Sequence, residues 1–138
     1  TNVFSANCVA PLLLAEVLYP NILIGREKKM IFLTAKTASI SDNFSGGFYI
    51  NRSARTALNQ SVKSLSIDLT EDKISVAVIS PGWVATDSGG LGMVNEYKRP
   101  KAMIEPMESV SGMIKVIEQL SFERSGVFVD YKGKSISW

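Results

Sequence analysis

Apolar and polar positions fall in blocks along this chain, and the blocks predict three helices alternating with three strands. In Thr1 to Tyr19, Val3, Phe4, Leu13, Leu14, Val17 and Leu18 are spaced to supply the apolar faces of a helix. Pro11 lies inside this stretch and predicts a kink or a restart, because proline lacks the N–H that a helix interior uses. Pro20 predicts its end. Met30-Ile31-Phe32-Leu33 is an uninterrupted apolar run, the pattern of a strand buried on both faces of a parallel sheet. A polar segment, Thr34 to Gly47, leads into a helix from about Tyr49 to Leu69. There Ala54, Leu58, Val62, Leu65 and Leu69 recur at steps of three and four and share a face. Ile74 to Ile79 is a second strand, broken by Ser80-Pro81-Gly82. Trp83 to Glu105 is irregular and holds Gly89, Gly90 and Gly92. Pro106 to Leu120 predicts a helix with Val110, Met113, Ile114, Ile117 and Leu120 on one face, its proline suited to the first turn. Gly126 to Val129 is a third strand, and Tyr131 to Lys134 a turn.

Helices alternating with apolar strands imply crossover units and a parallel sheet. The fold class is α/β: a partial doubly wound, Rossmann-like sheet of about three strands with flanking helices. A complete doubly wound nucleotide fold contains two βαβαβ halves, and this chain supplies about one. Residues 1–138 are therefore read as a single partial domain. The first residue is Thr rather than Met, so the chain is expected to be a piece of something longer.

Composition narrows the chemistry. The chain has 138 residues, 46% hydrophobic, with a net charge of +2, which excludes intrinsic disorder. Its one cysteine rules out an internal disulfide and suits a reducing compartment, so a cytoplasmic location is expected. Cys8 itself reads as a small buried hydrophobe. Histidine is absent, which removes His general bases, Ser-His-Asp and Cys-His nucleophiles and His-containing metal sites; no metal is expected. The basic residues are scattered, and the densest run, Arg26 to Lys29, is interrupted by Glu27, so no nucleic-acid partner is expected. The longest apolar stretch, Val9 to Ala15, stops at Glu16, short of the ~20 residues a membrane span needs, and no membrane partner is expected.

No glycine-rich turn follows a strand and opens a helix, the arrangement that presents backbone donors to a pyrophosphate. Gly46-Gly47 precedes a helix but follows a long loop, and Gly89-Gly90-Leu91-Gly92 precedes no clear helix start. Met93, Met103 and Met107 read as loop packing around the irregular segment.

Four segments jointly resemble the short-chain dehydrogenase/reductase family. They are Asn7-Cys8-Val9-Ala10-Pro11, the strand and loop from Ile31 to Ile40, the run from Gly46 to Asn59 ending in Ala57-Leu58-Asn59, and Pro81-Gly82-Trp83-Val84-Ala85-Thr86-Asp87. The tail, with Glu108 to Met113, Asp130-Tyr131-Lys132-Gly133 and Trp138, is similar to the C-factor-like branch of that family. The resemblance covers essentially the whole chain but corresponds to the C-terminal part of a member.

The resemblance implies hydride transfer between NAD or NADP and a carbonyl or alcohol. In the family a Tyr passes the proton, a Lys four residues on lowers its pKa, a Ser binds the substrate oxygen, and an Asn on the preceding helix supports a water relay. A phenol with pKa ~10 needs such a neighbouring cation to work near neutrality. Anchored on Ala57-Leu58-Asn59, the Tyr position falls on Asn51 and the Lys position on Arg55. The Ser position falls on Ala35, and the supporting position on Asn7. Asn51 cannot cycle a proton at neutral pH, Arg55 stays charged with a planar fork unlike an ammonium, and Ala35 has no hydroxyl. Asn7, Ala35, Asn51 and Arg55 are thus vestigial catalytic positions.

Tyr49 lies two residues before Asn51, on another side of the helix, and reads as packing. Thr34 faces away from its neighbour Ala35 on an extended segment, and Lys36 reads as a loop cation. Pro81, Gly82, Val84 and Thr86 match the loop that closes over the nicotinamide end of the cofactor. No cofactor is expected for this chain alone. An apolar edge at Met30 to Leu33 and the long apolar helix predict self-association, most simply as a homodimer. The expected function is that of a degenerate, catalytically inactive family member acting as an oligomerisation or interaction module. The alternative is an NAD(P)-dependent carbonyl or alcohol oxidoreductase whose cofactor-binding half lies outside this chain.

Overall fold

Three short runs of β-branched and aromatic residues pair as parallel strands in the computed structural model, which describes residues 2–87 and 103–138. They are β1 (Lys29–Leu33), β2 (Ser75–Ser80) and β3 (Val127–Asp130), in the spatial order β1-β2-β3. Met30 pairs with Val76, and Val78 with Phe128. Every residue of β2 is buried, as a central strand covered on both faces requires. The two edges differ. Beyond β3 the chain turns at Lys132 and Gly133 and folds back, with Ile136 N–H donating to Phe128 C=O at 2.9 Å and Asp130 N–H to Lys134 C=O at 2.9 Å. Beyond β1 no strand lies among the described residues.

The helices are α1 (Asn2–Phe4), α2 (Ala10–Ile24), α3 (Tyr49–Asp68) and α4 (Pro106–Gln119), with a π turn at Ser5–Val9 joining the first two. That turn is how the chain accommodates Pro11. Ala10 N–H reaches Ser5 C=O, one residue further back than in an α-helix, so the ladder shifts just before the missing donor. Pro20 does not end the helix as expected. It sits on the exposed side of α2, and the helix runs on to Ile24 and stops at Gly25.

α3 buries the face its periodicity predicts: Ala54, Leu58 and Val62 enter the core with Met30, Phe32, Val76, Val78 and Phe128. The faces expected for the first helix need correction. Leu12, Ala15, Tyr19 and Ile22 pack on the core, whereas Leu13, Leu14, Val17 and Leu18 are exposed. The helix is apolar all round, so spacing alone could not choose its inner side. On α4, Leu120 closes the buried end while Val110 and Ile114 stay exposed, so the predicted face is only half covered. Gly112 is where α4 meets the turn after β3: a Cβ there would lie 2.5 Å from Tyr131 O.

The length count behind the membrane expectation also needs correction. Asn2–Ile24 forms a 23-residue helical stretch that is long and apolar enough to cross a bilayer by length and composition. Counting uninterrupted apolar residues stopped at Glu16, the lone charge in the stretch, and understated it. Its Leu12, Ala15, Tyr19, Ile22 stripe packs, partly buried, on the hydrophobic core, while Leu13, Leu14, Val17 and Leu18 are exposed. The glycines at 89, 90 and 92 and Met93 lie outside the described residues. Met103 is buried, as loop packing requires, and Met107 is exposed.

Candidate functional site

All three strands point their carboxyl ends the same way, and helices that return from that end begin there. β1 therefore delivers Thr34 and Ala35, β2 delivers Pro81 to Thr86, and the first two turns of α3 deliver Asn51 and Arg55 at the same end of the molecule. The π turn, which packs against α3, brings Asn7.

The local chemistry at these positions is specific. Arg55 is half buried and donates Nε–H to Asn51 Oδ1 at 3.2 Å, so the four-residue spacing does place the two side chains together. Desolvation holds the Arg55 guanidinium below its ordinary pKa, and no acid among the described residues offsets the effect. Asn7 donates its amide to Val3 C=O at 3.0 Å. The backbone carbonyl of Asn7 has no ordinary α-helical donor, since the residue four positions on is Pro11. Ala35 is half buried and presents only a methyl group.

The loop after β2 is firmly built. Gly82 adopts φ +83°, and a Cβ there would meet Ile104 Cδ1 at 3.0 Å and the Tyr131 ring at 3.2 Å, so glycine is required on both counts. Val84 bridges Ile104, with Ala85 N–H donating to Ile104 C=O and Ile104 N–H to Trp83 C=O, each at 2.9 Å. Ser109 Oγ, from α4, donates to Pro81 C=O at 2.6 Å. Pro81, Gly82, Val84 and Thr86 are thus held on one structured loop at the carboxyl end of β2.

The segment from Thr34 to Phe48 is tied down by Arg52 and by the tail. The Arg52 guanidinium donates to Gly47 C=O, Thr37 C=O, Ser45 Oγ and Gly46 C=O, at 3.0 to 3.4 Å. Ser41 donates both N–H and Oγ–H to Trp138 O, at 3.2 and 2.9 Å. Gly46 and Gly47 both take positive φ, with open space around them, and shape this loop rather than a turn between strand and helix. Tyr49, read as packing, is instead 80% exposed. Lys36 pairs with Asp42 at 3.8 Å.

Features that sequence reading missed lie beside these positions. Thr34 Oγ1 and both polar atoms of the Asn59 amide are buried without a hydrogen-bond partner among the described residues. A hollow of about 240 Å³ opens at the strand ends between Lys36, Asp42, Ser80, Gly82, Asp130 and Tyr131. A larger cleft of about 540 Å³ runs between α2 and α3, lined by Leu12, Ala15, Tyr19, Met30, Leu65 and Leu69 among others, and includes none of the expected site residues. The chance that a buried amide such as Asn59 lacks a partner has no signature in a single sequence, and Asn59 is not among the residues whose spacing predicts the inward face of α3.

No family model matches the chain. C-signal of Myxococcus xanthus is 34% identical over 98% of this chain and 76% of its own length. The chain belongs to the short-chain dehydrogenase/reductase family. The NADPH-bound carbonyl reductase from chicken fatty liver superposes with a TM-score of 0.87 at 30% identity, over 98% of this chain and 55% of the reductase. A short-chain dehydrogenase/reductase of Burkholderia multivorans with bound NADP superposes with a TM-score of 0.80 at 26% identity, over 98% and 54%. The chain spans about half the length of most of the curated relatives it matches, for instance 55% of a Rhodococcus dehydrogenase. Among the described residues the Pro81–Thr86 loop is formed, and no strand runs through a glycine turn into a helix, the arrangement that would present backbone donors to a dinucleotide's pyrophosphate.

Proposed function

We propose that this chain is a catalytically silent member of its family whose remaining property is self-association. The observation that carries the reading is the set Ala35, Asn51 and Arg55: a methyl, an amide and a permanent cation stand where proton transfer needs a hydroxyl, a phenol and a tunable ammonium. Support for association comes from the exposed apolar side of α2, with Leu13, Leu14, Val17 and Ile24, and from the edge of β1, beyond which no strand lies among the described residues. A homodimer is the simplest such assembly, since one patch then meets itself. Light scattering after size exclusion tests the association. A sharply melting monomer at micromolar concentration would overturn it. Turnover of a carbonyl panel with NADH or NADPH by the unaltered residues 35, 51 and 55 would overturn the silence.

A second reading is that the chain is the C-terminal part of an NAD(P)-dependent oxidoreductase whose cofactor-binding half lies outside it. It is favoured by the length of the relatives and by the intact loop at Pro81–Thr86. Calorimetric titration with NADH and NADPH separates the two readings. Without backbone donors for the pyrophosphate, this chain is expected to show no stoichiometric binding in the low micromolar range.

A further inference from the structure

Arg52 and Arg55 stand three residues apart at the start of α3 and have opposite surroundings. Arg52 spends its guanidinium on four internal acceptors. Arg55, half buried, donates only Nε–H, to Asn51 Oδ1. Its Nη1 and Nη2 have no acceptor among the described residues, and no carboxylate there pairs with it; the ion pairs join Lys29 to Glu27 and Lys36 to Asp42. A guanidinium cannot shed its charge as an amine can, so partial burial leaves a cation with no carboxylate beside it among the described residues. Asn51 adds to this. Its Oδ1 is occupied by Arg55, and its Nδ2 has no acceptor among the described residues. Three nitrogen groups without an acceptor among the described residues are therefore gathered on one helix face, near the carboxyl end of the sheet.

We propose that Arg55 and Asn51 form an oxyanion site that binds a small carboxylate-bearing molecule. The planar fork matches the two oxygens of a carboxylate and gives parallel, charge-assisted hydrogen bonds. The Asn51 amide supplies a further donor at the rim. Replacing a phenol and an ammonium by an amide and a guanidinium turns a pair that moves a proton into a pair that only donates hydrogen bonds. The inference rests on these two positions no longer transferring protons, but it is read by binding rather than by turnover, so it can fail independently.

The test is an NMR titration of the whole chain at low ionic strength, following the Arg Nε–Hε signals, with sodium acetate and sodium succinate as probes and sodium chloride as the reference. The Arg55 signal is expected to shift saturably at millimolar acetate while the Arg52 signal stays still. Arg55→Lys keeps the charge but loses the fork, and is expected to weaken binding several-fold. Arg55→Gln is expected to abolish saturation, and Asn51→Ala to weaken it. An Arg55 signal in the unaltered chain that fails to saturate, or tracks chloride equally, overturns the proposal whether or not the variants fold. Saturation by inorganic phosphate but not by acetate overturns the assignment to carboxylates.

Discussion

α2 and α3 lie on the same side of the sheet and have opposite relations to it. α2 is the more apolar sequence, with Leu, Ile, Val and Ala at most positions, yet none of its residues is buried. α3 is studded with Asn, Arg, Gln, Ser and Lys, yet it sends Ala54, Leu58, Asn59, Val62 and Ser66 into the interior. Apolar content thus says how much surface a helix would bury, and periodicity says which side it buries here. α3 has both a polar and an apolar face, so its orientation is determined. α2 has an apolar outer face left over, and that surplus is the physical basis for reading it as an interface.

The sharpest way to break this comparison is to remove the same atoms from both helices. Leu58→Ala, at a site 2% exposed, is expected to cost about 2–5 kcal/mol in chemical denaturation, the usual range for a buried leucine. Leu14→Ala, at a site 58% exposed, is expected to stay within about 0.5 kcal/mol in the dissociated monomer. Equal losses would mean that α2 is as much a core helix as α3.

Gly112→Ala tests whether α4 is seated as closely as α3. Its Cβ would lie 2.5 Å from a backbone oxygen that cannot move aside, and overpacking of that kind costs about 1–3 kcal/mol. A neutral result would show that α4 tolerates a shift and that its half-covered face reflects loose docking.

Val17→Glu places a charge on the outer face of α2, at a position 71% exposed. The circular dichroism spectrum and the thermal midpoint of the monomer are expected to hold, while the mass in light scattering falls to that of one chain. A variant that unfolds would place Val17 in the interior; an unchanged oligomer would move the interface elsewhere, with the β1 edge next to be tested.

The smallest effect concerns how α2 is fastened. Tyr19 donates to Asp72 Oδ2 at 2.8 Å, and that hydrogen bond, followed by desolvation and the carboxylate charge, raises its pKa above the ordinary 10.0. A group whose folded pKa is raised contributes stability that is fully present below its unfolded pKa and fades as pH rises through the folded one. Stability is therefore expected to decline above pH ~10. Tyr19→Phe should be slightly less stable at neutral pH and should lose this component of the alkaline decline. A decline of equal size in Tyr19→Phe would assign it to other groups.

The strands and α3 were legible as elements: Ile74 to Ile79 is buried throughout, and the steps from Ala54 to Leu69 select one helical face. Met30 to Leu33, expected to be buried on both faces, buries only Met30 and Phe32 and leaves Leu33 56% exposed, because β1 is an edge strand of the described sheet. Pro20 misled because an interior proline costs one hydrogen bond and a local clash, which can kink a helix without ending it, and α2 continues through it to Ile24. The four family positions were found from short motifs, and the Asn51–Arg55 contact followed from their spacing. Hydrogen bonds between distant segments were not legible. Arg52 organising the loop, Ser109 pinning Pro81, and the stranded Thr34 and Asn59 depend on which backbone atoms come close in space, which one sequence does not state.

Ser41 and Trp138 are 97 positions apart, yet their hydrogen bond fixes the loop that leaves β1. During vectorial synthesis the early segment emerges long before its anchor, so the loop must wait, open, until β3 and the returning tail have formed. Closure across such a separation is an entropically slow, late event. Pulse-labelling hydrogen exchange during refolding is expected to show the amide of Ser41 protected after those of β2, making the carboxyl end of the sheet the last part of the molecule to become ordered.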